Sequence, residues 1–275
     1  IVLMLCEEVL GTENYTHIVE PEFKIDDKKL PELEAAMERL KKMEPVQYVL
    51  GHTEFYGRTF KVDPAVLIPR PETELLCRDA IKLGMRVYRM RSPYGKNAEP
   101  VRILDLCTGS GCIAWTMALS IPGSRVTAVD ISDAALEVAA GQDFASELKS
   151  KETFKPEFIK ADVLDSEQEI ELGPFDMVLS NPPYIMESEK EDMRRNVLEY
   201  EPESALFVPD DDPLLFYRAI ARWSQRFMSP DGVGLSEVNE TLARQTETVF
   251  KAAGYAHTEI VRDLSDKNRY IIYHK

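Results

Sequence analysis

From Val101 onward, short apolar runs of strand length alternate with amphipathic runs of helix length, and this alternation constrains the chain more than any other feature. "VRILDL" precedes a helical stretch from Cys112, "RVTAVDI" precedes one from Asp133 to Lys149, "PEFIKAD" leads into a loop and "FDMVLS" into a turn. A helix around Pro213 to Arg226, the strand "GVGLSEV", the helix "ETLARQTETVFKAA" and two late strands, near Ala256 to Arg262 and Arg269 to His274, complete the series. Strands separated by helices pair in parallel through crossovers, so the pattern predicts an α/β, doubly wound parallel sheet. The two final strands are free to add an antiparallel edge.

Upstream the text differs. Residues 1 to 44 read as helical, most clearly "LPELEAAMERLKKM" from Leu30 to Met43. Pro31 suits a first helical turn, and Leu33, Ala36, Met37 and Leu40 predict one apolar face. Pro45 stops this helix. Val46 to Leu67, rich in Val, Tyr and Phe and broken by Gly51, Gly57 and Pro64, reads as a β-hairpin. A helix resumes from Pro71, and Arg91 to Pro100 is a polar, turn-rich linker. The expected division is a helical unit at 1–45, a hairpin linker at 46–70 and an α/β unit at 71–275.

Lys and Arg total 33 against 48 Asp and Glu, a net charge of −15, so the averaged field opposes a phosphate backbone and no direct nucleic-acid partner is expected. Cys6, Cys77, Cys107 and Cys112 lack C-x-x-C spacing and the four histidines do not cluster. Neither a metal site nor a disulfide framework is expected, and reduced thiols fit a cytoplasmic location. No run approaches the roughly 18 apolar residues that span a bilayer. The chain opens at Ile1 instead of Met, so a processed, organellar form stays open. The triplets "NYT" at Asn14 and "NET" at Asn239 match a glycosylation pattern that arises often by chance, and both are read as noise.

Candidate site residues fall at successive strand ends. "ILDLCTGSGCIA" sets Gly109 and Gly111 after the first strand and at a helix start, where backbone N–H groups face a ligand. Ala114 stands at the third glycine position of a dinucleotide loop and no Lys-Ser/Thr follows, which favours a smaller nucleoside ligand over a pyrophosphate. Asp130 ends the second strand, where a carboxylate reaches two ribose hydroxyls. An N-cap role suits the following Ser132 or Asp133 better. Asp162, with Val163, ends the third strand and faces an adenine. The fourth delivers "SNPPYI" to the same edge, where two prolines forbid a β ladder and make Asn181 to Tyr184 a stiff, defined turn.

This constellation resembles S-adenosylmethionine-dependent methyltransferases with the N-P-P-Y signature, which act on planar nitrogens. "EPVQYVLGHTEFYGRTFKVDPAVLIPRPETELL", "ILDLCTGSGCIA", "SNPPYI", "EYEPESALF" and "DLSDKNRYI" together resemble the PrmC/HemK family over nearly the whole chain. That family comprises the protein-(glutamine-N5) methyltransferases of peptide chain release factors. The resemblance implies a Rossmann-like class I methyltransferase domain, a hairpin linker and an N-terminal helical domain that docks the release factor. The acceptor is the glutamine of its Gly-Gly-Gln loop and the cofactor S-adenosylmethionine; a monomer is expected. By the same resemblance Thr108, Gly109, Ser110, Gly111, Cys112, Asp130, Ile131, Asp162, Val163 and Asn181 hold the cofactor. Asn181, Pro182, Pro183 and Tyr184 form the catalytic turn, and Asn181, Pro182, Tyr184, Arg70 and Glu72 meet the substrate. Two departures stand out: Cys107 where glycine is common, and "VPDDD" from Val208 in place of an Ala-rich turn.

A carboxamide nitrogen is a poor nucleophile because its lone pair is delocalised, so the expected chemistry is alignment plus hydrogen-bond acceptance by Asn181 Oδ1 and the Pro182 carbonyl, with Tyr184 as a wall. Arg70 and Glu72 either clamp the turn or form a surface pair. A DNA adenine or ribosomal-protein glutamine methyltransferase is the nearest rival reading, which the acidic charge and "IPRPETE" oppose. A non-catalytic nucleotide-binding scaffold is the rival from another class.

Overall fold

The computed structural model describes residues 1–13, 15–91 and 99–275; the Asn14 triplet and most of the 91–100 linker therefore lie outside the described residues. Ahead of the hairpin, the short helices Val2–Leu5 and Thr16–Val19, a wide helical turn at Cys6–Leu10 and the helix Leu30–Lys41 form a small unit. Its interior is Leu5, Val9 and Ala36, with Leu33, Leu40, Val49 and Leu50 packed around them. Met37 departs from the expected apolar face and is exposed.

The hairpin is shorter than the sequence predicts. Val46–Leu50 is a helical turn that follows Pro45, and only β1 (His52–Phe55) and β2 (Arg58–Lys61) pair, around Tyr56-Gly57. Phe55 and Phe60 are buried in the same core as Trp115 and Phe144, so the hairpin is packed into the main body.

That body is a seven-stranded sheet built from β3 (Arg102–Leu106), β4 (Arg125–Asp130), β5 (Glu157–Lys160) and β6 (Phe175–Ser180), joined later by β9 (Met228–Glu237), β10 (His257–Arg262) and β11 (Asn268–His274). Between β6 and β9 a two-stranded ribbon intervenes, β7 (Ile185–Met186) with β8 (Phe207–Val208). The order is β10-β11-β9-β6-β3-β4-β5. The five strands from β9 to β5 are parallel, and β11 and β10 add the antiparallel edge that the sequence predicts.

The chain lays β4 and β5 on one side of β3, then returns to place β6 and β9 on the other. The direction of winding thus reverses between β3 and β6, where open α/β sheets carry ligands beyond the carboxyl ends of the strands. Two apolar layers sandwich the sheet, one around Trp115 and Met117 of the helix Cys112–Ser120, the other around Tyr217 and Trp223 of the helix Leu215–Phe227. Cys112–Ser120 is buried on all sides apart from its last residue and therefore carries no polar stripe.

One helix expected from the sequence is two. Asp133–Ala140 stops at Gly141, and Ala145–Lys151 begins after Phe144. The break is used: Gln142 Oε1 accepts from Lys61 N at 2.8 Å, and its Nε2 donates to Lys61 O at 2.9 Å and Ser110 O at 3.2 Å. Phe144 packs edge-on against Phe60 with ring centroids 5.0 Å apart. The interruption thus fastens the hairpin to the sheet domain.

Candidate active site

A cavity of about 420 Å³ opens at the carboxyl ends of β3, β4 and β6. Thr108, Gly109, Ser110, Cys112, Asp130, Ile131, Asp162, Val163 and Asn181 all line it, so nine of the residues assigned from sequence to one cofactor share one wall system. Pro183 and Arg70 line it too; Gly111, Pro182, Tyr184 and Glu72 do not.

Gly111 acts from behind. At φ 77° a Cβ there would stand 3.0 Å from Ala139 Cβ and 3.1 Å from Trp115 Cδ1, so only glycine lets this turn sit against the neighbouring helix. Asp105, fully buried on β3, braces the loop: Oδ2 accepts from Thr108 Oγ1 at 2.6 Å and from Ala114 N at 3.2 Å. Its Oδ1 has no partner. Burial pushes this carboxyl up to about 7, against the downward pull of the Thr108 and Ala114 donors. Cys107, at φ 60°, keeps the left-handed backbone that a glycine would adopt while its side chain joins the cavity wall. Burial raises its thiol well above the usual range.

Asp130 spans the loop and the next helix. Oδ2 accepts from Gly109 N at 2.8 Å and Oδ1 from Ser132 N at 3.0 Å, while Ser132 Oγ caps the helix by accepting from Ala135 N at 3.2 Å. The cap therefore belongs to Ser132, leaving the second lone pairs of Asp130 for a diol. Burial raises this carboxyl, partly offset by the backbone N–H groups of Ser132, Gly109 and Ile131. The helix Cys112–Ser120 has no cap from its preceding residue, and with Ala114 N taken by Asp105 the N–H groups of Cys112 and Ile113 remain as donors. A nucleoside with a charged amino-acid tail fits this donor set: a carboxylate for the diol, apolar walls at Val66, Ile113 and Val163, and a helix end with Arg70 for an anionic group.

The stiff turn is anchored at both ends. Asn181 Nδ2 donates to Thr73 Oγ1 at 3.2 Å, and Thr73 Oγ1 donates to Glu237 Oε2 at 2.7 Å. Tyr184 Oη lies 3.4 Å from Glu237 Oε1, and Asn239 Nδ2 donates to the Tyr184 carbonyl at 3.1 Å. Asn239 is buried and its side chain is bonded on both atoms, which closes it to glycosylation, in keeping with its reading as noise. Burial raises the Tyr184 phenol well above its ordinary value and keeps it neutral.

Arg70 and Glu72 do not pair with each other. Arg70 Nη2 meets Glu201 Oε1 at 2.6 Å, and Glu201 Oε2 also accepts from Ile68 N at 3.1 Å. Glu72 instead lies 3.8 Å from Arg269. Glu201 opens the segment that includes β8 and supplies Pro202, Ser204, Ala205 and Phe207 to the cavity. In the unusual "VPDDD" turn, Asp210 Oδ1 accepts from Ser188 N and Oγ at 3.0 and 2.8 Å, tying this segment to the one after the Asn181 to Tyr184 turn.

Sequence reasoning assigned no role to Asp105, Thr73, Gln142, Glu201 or Glu237. Thr73 and Glu201 were within view, inside "IPRPETE" and "EYEPESALF".

Known structures share this fold. The hMettl16 catalytic domain superposes with a TM-score of 0.55 over 91% of this chain and 84% of that one at 11% identity. A methyltransferase from Pyrococcus furiosus does so with a TM-score of 0.51 over 87% and 96% at 14% identity. A family model described as "Methyltransferase small domain" matches residues 94–201. The fold and site define a class I S-adenosylmethionine-dependent methyltransferase.

Residues 2–51 match a second model, "PrmC N-terminal domain". A protein of Bacteroides thetaiotaomicron named "Release factor glutamine methyltransferase" is 36% identical over 97% of this chain and 89% of its own length. One of the same name from Chlorobaculum tepidum is 34% identical over 97% and 86%. The chain belongs to the release factor glutamine methyltransferase family.

Proposed function

We propose that this protein transfers a methyl group from S-adenosylmethionine to the side-chain nitrogen N5 of the glutamine in the Gly-Gly-Gln motif of a peptide chain release factor. The observation that carries the reading is that the glycine loop, Asp130 and Asn181 meet on one cavity while Asn181 Nδ2 is engaged by Thr73. Oδ1 is left as an acceptor toward the cavity. S-adenosylmethionine supplies an electrophilic methyl group on a sulfonium.

The loop from Thr108 to Cys112 wraps that cofactor, with Ser110 N and Cys112 N as its free backbone donors, Asp130 and Ile131 take its ribose, and Asp162 with Val163 take its adenine. Arg70, the one cation on the cavity wall among the described residues, stands beside the acceptor path with its charge partly neutralised by Glu201. Glu72, two residues from Arg70 and 3.8 Å from Arg269, meets the substrate from outside the cavity wall. Asn181 Oδ1 and the Pro182 carbonyl accept from the two protons of the glutamine amide, shifting electron density onto nitrogen and aiming it. Both acceptors are neutral and do not compete for the cationic donor. Pro182 and Pro183 hold them still, and Tyr184 packs as a wall that excludes water. No strong base is needed, since an N-methylated, positively charged amide sheds its proton readily.

The relatives' names support the release factor as partner. Residues 1–45 dock it, 46–70 link, and 71–275 carry the chemistry. The protein acts as a cytoplasmic monomer without nucleic acid, consistent with its net charge of −15. No helix among the described residues is long and apolar enough to cross a membrane.

Asn181→Ala is the test. Radiolabelled S-adenosylmethionine and an intact release factor report turnover, and calorimetry reports cofactor affinity. Turnover falls by roughly a hundredfold or more, in line with loss of one preorganised transition-state contact, and affinity holds. Near wild-type labelling by the variant would refute the role of the turn.

A further inference from the structure

Asn181 is useful to the proposed reaction in one orientation only, with Oδ1 toward the acceptor, and an amide alone does not choose between its two ends. The choice is made behind it. Thr73 opens the helix Thr73–Arg91 and is 1% exposed; Glu237 closes β9 and is 3% exposed. Ser180 of β6 pairs with Ser236 of β9, so the next residues along, Asn181 and Glu237, stand side by side at the strand ends, with Thr73 between their side chains.

The logic of the chain is one of donors and acceptors. A carboxylate only accepts, and a hydroxyl has one proton to give. At 2.7 Å from Glu237 Oε2, the Thr73 proton is committed to the carboxylate. Only lone pairs remain on Oγ1, so the group 3.2 Å away must be the Asn181 NH₂. The reversed amide would set two acceptors, Asn181 Oδ1 and Thr73 Oγ1, against each other. A buried carboxylate without an ion-pair partner among the described residues carries a desolvation cost that fold stability alone does not call for.

We propose that Glu237 and Thr73 are positioning residues that act through Asn181: the buried carboxylate fixes the direction of the Thr73 hydroxyl, and the hydroxyl fixes the end of the amide that meets the acceptor. The inference rests on the glutamine-methylating reading above. When Glu237 is protonated it can itself donate to Thr73, freeing the threonine proton to hold the amide reversed. Burial, chiefly, raises this carboxyl to about 7, so both states are reached near neutrality. The charged and titratable groups around it are Tyr184, Tyr217, Cys77, Cys112, Glu72 and Arg269.

The test uses full-length Glu237→Gln, Thr73→Val, their double variant, Thr73→Ser and Asn181→Ala, with an intact release factor as acceptor. Glutamine and valine keep the shapes of the residues they replace, and near-ultraviolet circular dichroism checks the fold. Glu237→Gln and Thr73→Val lower kcat by roughly ten- to a hundredfold, the scale of a misaligned reacting group. KM for the release factor and cofactor Kd by calorimetry stay within about twofold, since Glu237 lies off the cavity wall and the Thr73 hydroxyl is spent on Glu237 and Asn181. Thr73→Ser restores most of the turnover lost in Thr73→Val. The double variant is no worse than Thr73→Val, because both changes cut one relay. The rise of wild-type kcat from pH 6 to 8 disappears in Glu237→Gln. If Asn181→Ala loses turnover while Glu237→Gln and Thr73→Val keep kcat within twofold, or if their losses add, the relay is overturned and the methylation reading stands. If Asn181→Ala keeps its turnover, both fall.

Discussion

Glu201→Ala cuts the tie between the two walls of the cavity, and its cost can be worked out contact by contact. Glu201 is 4% exposed and accepts from Arg70 at 2.6 Å and from Ile68 N at 3.1 Å. Removing the carboxylate strands the buried Ile68 N–H, a desolvation cost of about 1–3 kcal/mol. Breaking a wholly buried ion pair costs about 3–5 kcal/mol. The Arg70 side chain, however, is 32% exposed, so water replaces much of its lost partner and this part falls toward the roughly 1 kcal/mol of an open pair. The expected loss is about 2–4 kcal/mol. Urea unfolding reads it from the transition midpoint at constant slope. Glu201→Gln, which keeps an acceptor for Ile68, loses less than half as much. Cofactor Kd rises in Glu201→Ala, because Ile68 to Arg70 and Pro202 to Phe207 are no longer fastened together. A loss below about 1 kcal/mol would show that apolar packing of the segment, and not this carboxylate, sets its place.

Asp130→Ala weakens cofactor binding by roughly 10- to 100-fold, the measure of two charge-assisted hydrogen bonds, and leaves the helix cap at Ser132 in place; unchanged affinity by calorimetry refutes the ribose assignment. Gln142→Ala leaves Lys61 N, Lys61 O and Ser110 O without their partner and costs about 1–3 kcal/mol in the same urea assay; an unaltered midpoint would deny the clamp. Asp105 and Glu237 both have carboxyls raised by burial to about 7 in the folded chain. Their unfolded values lie near 4, so between about pH 4 and pH 7 the native state holds more protons than the unfolded one. Stability from these groups is full below that window and is lost as pH rises through it. Asp105→Asn accordingly flattens the decline in unfolding free energy between pH 5 and pH 8, and an unchanged slope would contradict the raised carboxyl.

Local patterns carried most of the architecture into view. The strands of the main sheet, the edge pair His257–Arg262 and Asn268–His274, and the ends where Gly109, Asp130, Asp162 and Asn181 stand were legible because apolar runs, glycines and prolines act on their own neighbours. The misplaced boundaries have local explanations too. Val46–Leu50 is β-rich in composition yet turns helical behind Pro45, buries Val46 and Tyr48, and stops at the left-handed Gly51. The helix expected from Asp133 to Lys149 breaks because Gln142 and Phe144 gain more from Lys61, Ser110, Phe60 and Trp115 than from a continuous ladder. What stayed hidden was pairing at a distance. Thr73 meets Glu237 across 164 residues and Arg70 meets Glu201 across 131, and no periodicity or spacing announces which glutamate will be buried against which hydroxyl.

These distant pairings converge on one stretch of chain. Tyr48 Oη donates to the Val66 carbonyl at 2.6 Å, Ile68 and Arg70 are held by Glu201, and Thr73 holds Asn181 and is held by Glu237. Tyr200, next to Glu201, donates to the Lys42 carbonyl at 2.7 Å at the end of the helical unit. A tether would need none of this. The run from Val62 to Thr73, with its three prolines and its buried Val62, Val66 and Ile68, is a strut that touches Tyr48, next to the helical unit, at one end and the Asn181 to Tyr184 turn at the other. Covalent chain and hydrogen bonds thus run from Tyr48 to Asn181 without entering the sheet core. The residues that make "IPRPETE" distinctive are the ones that form this path, which gives the motif a mechanical reason for preceding the nucleotide loop.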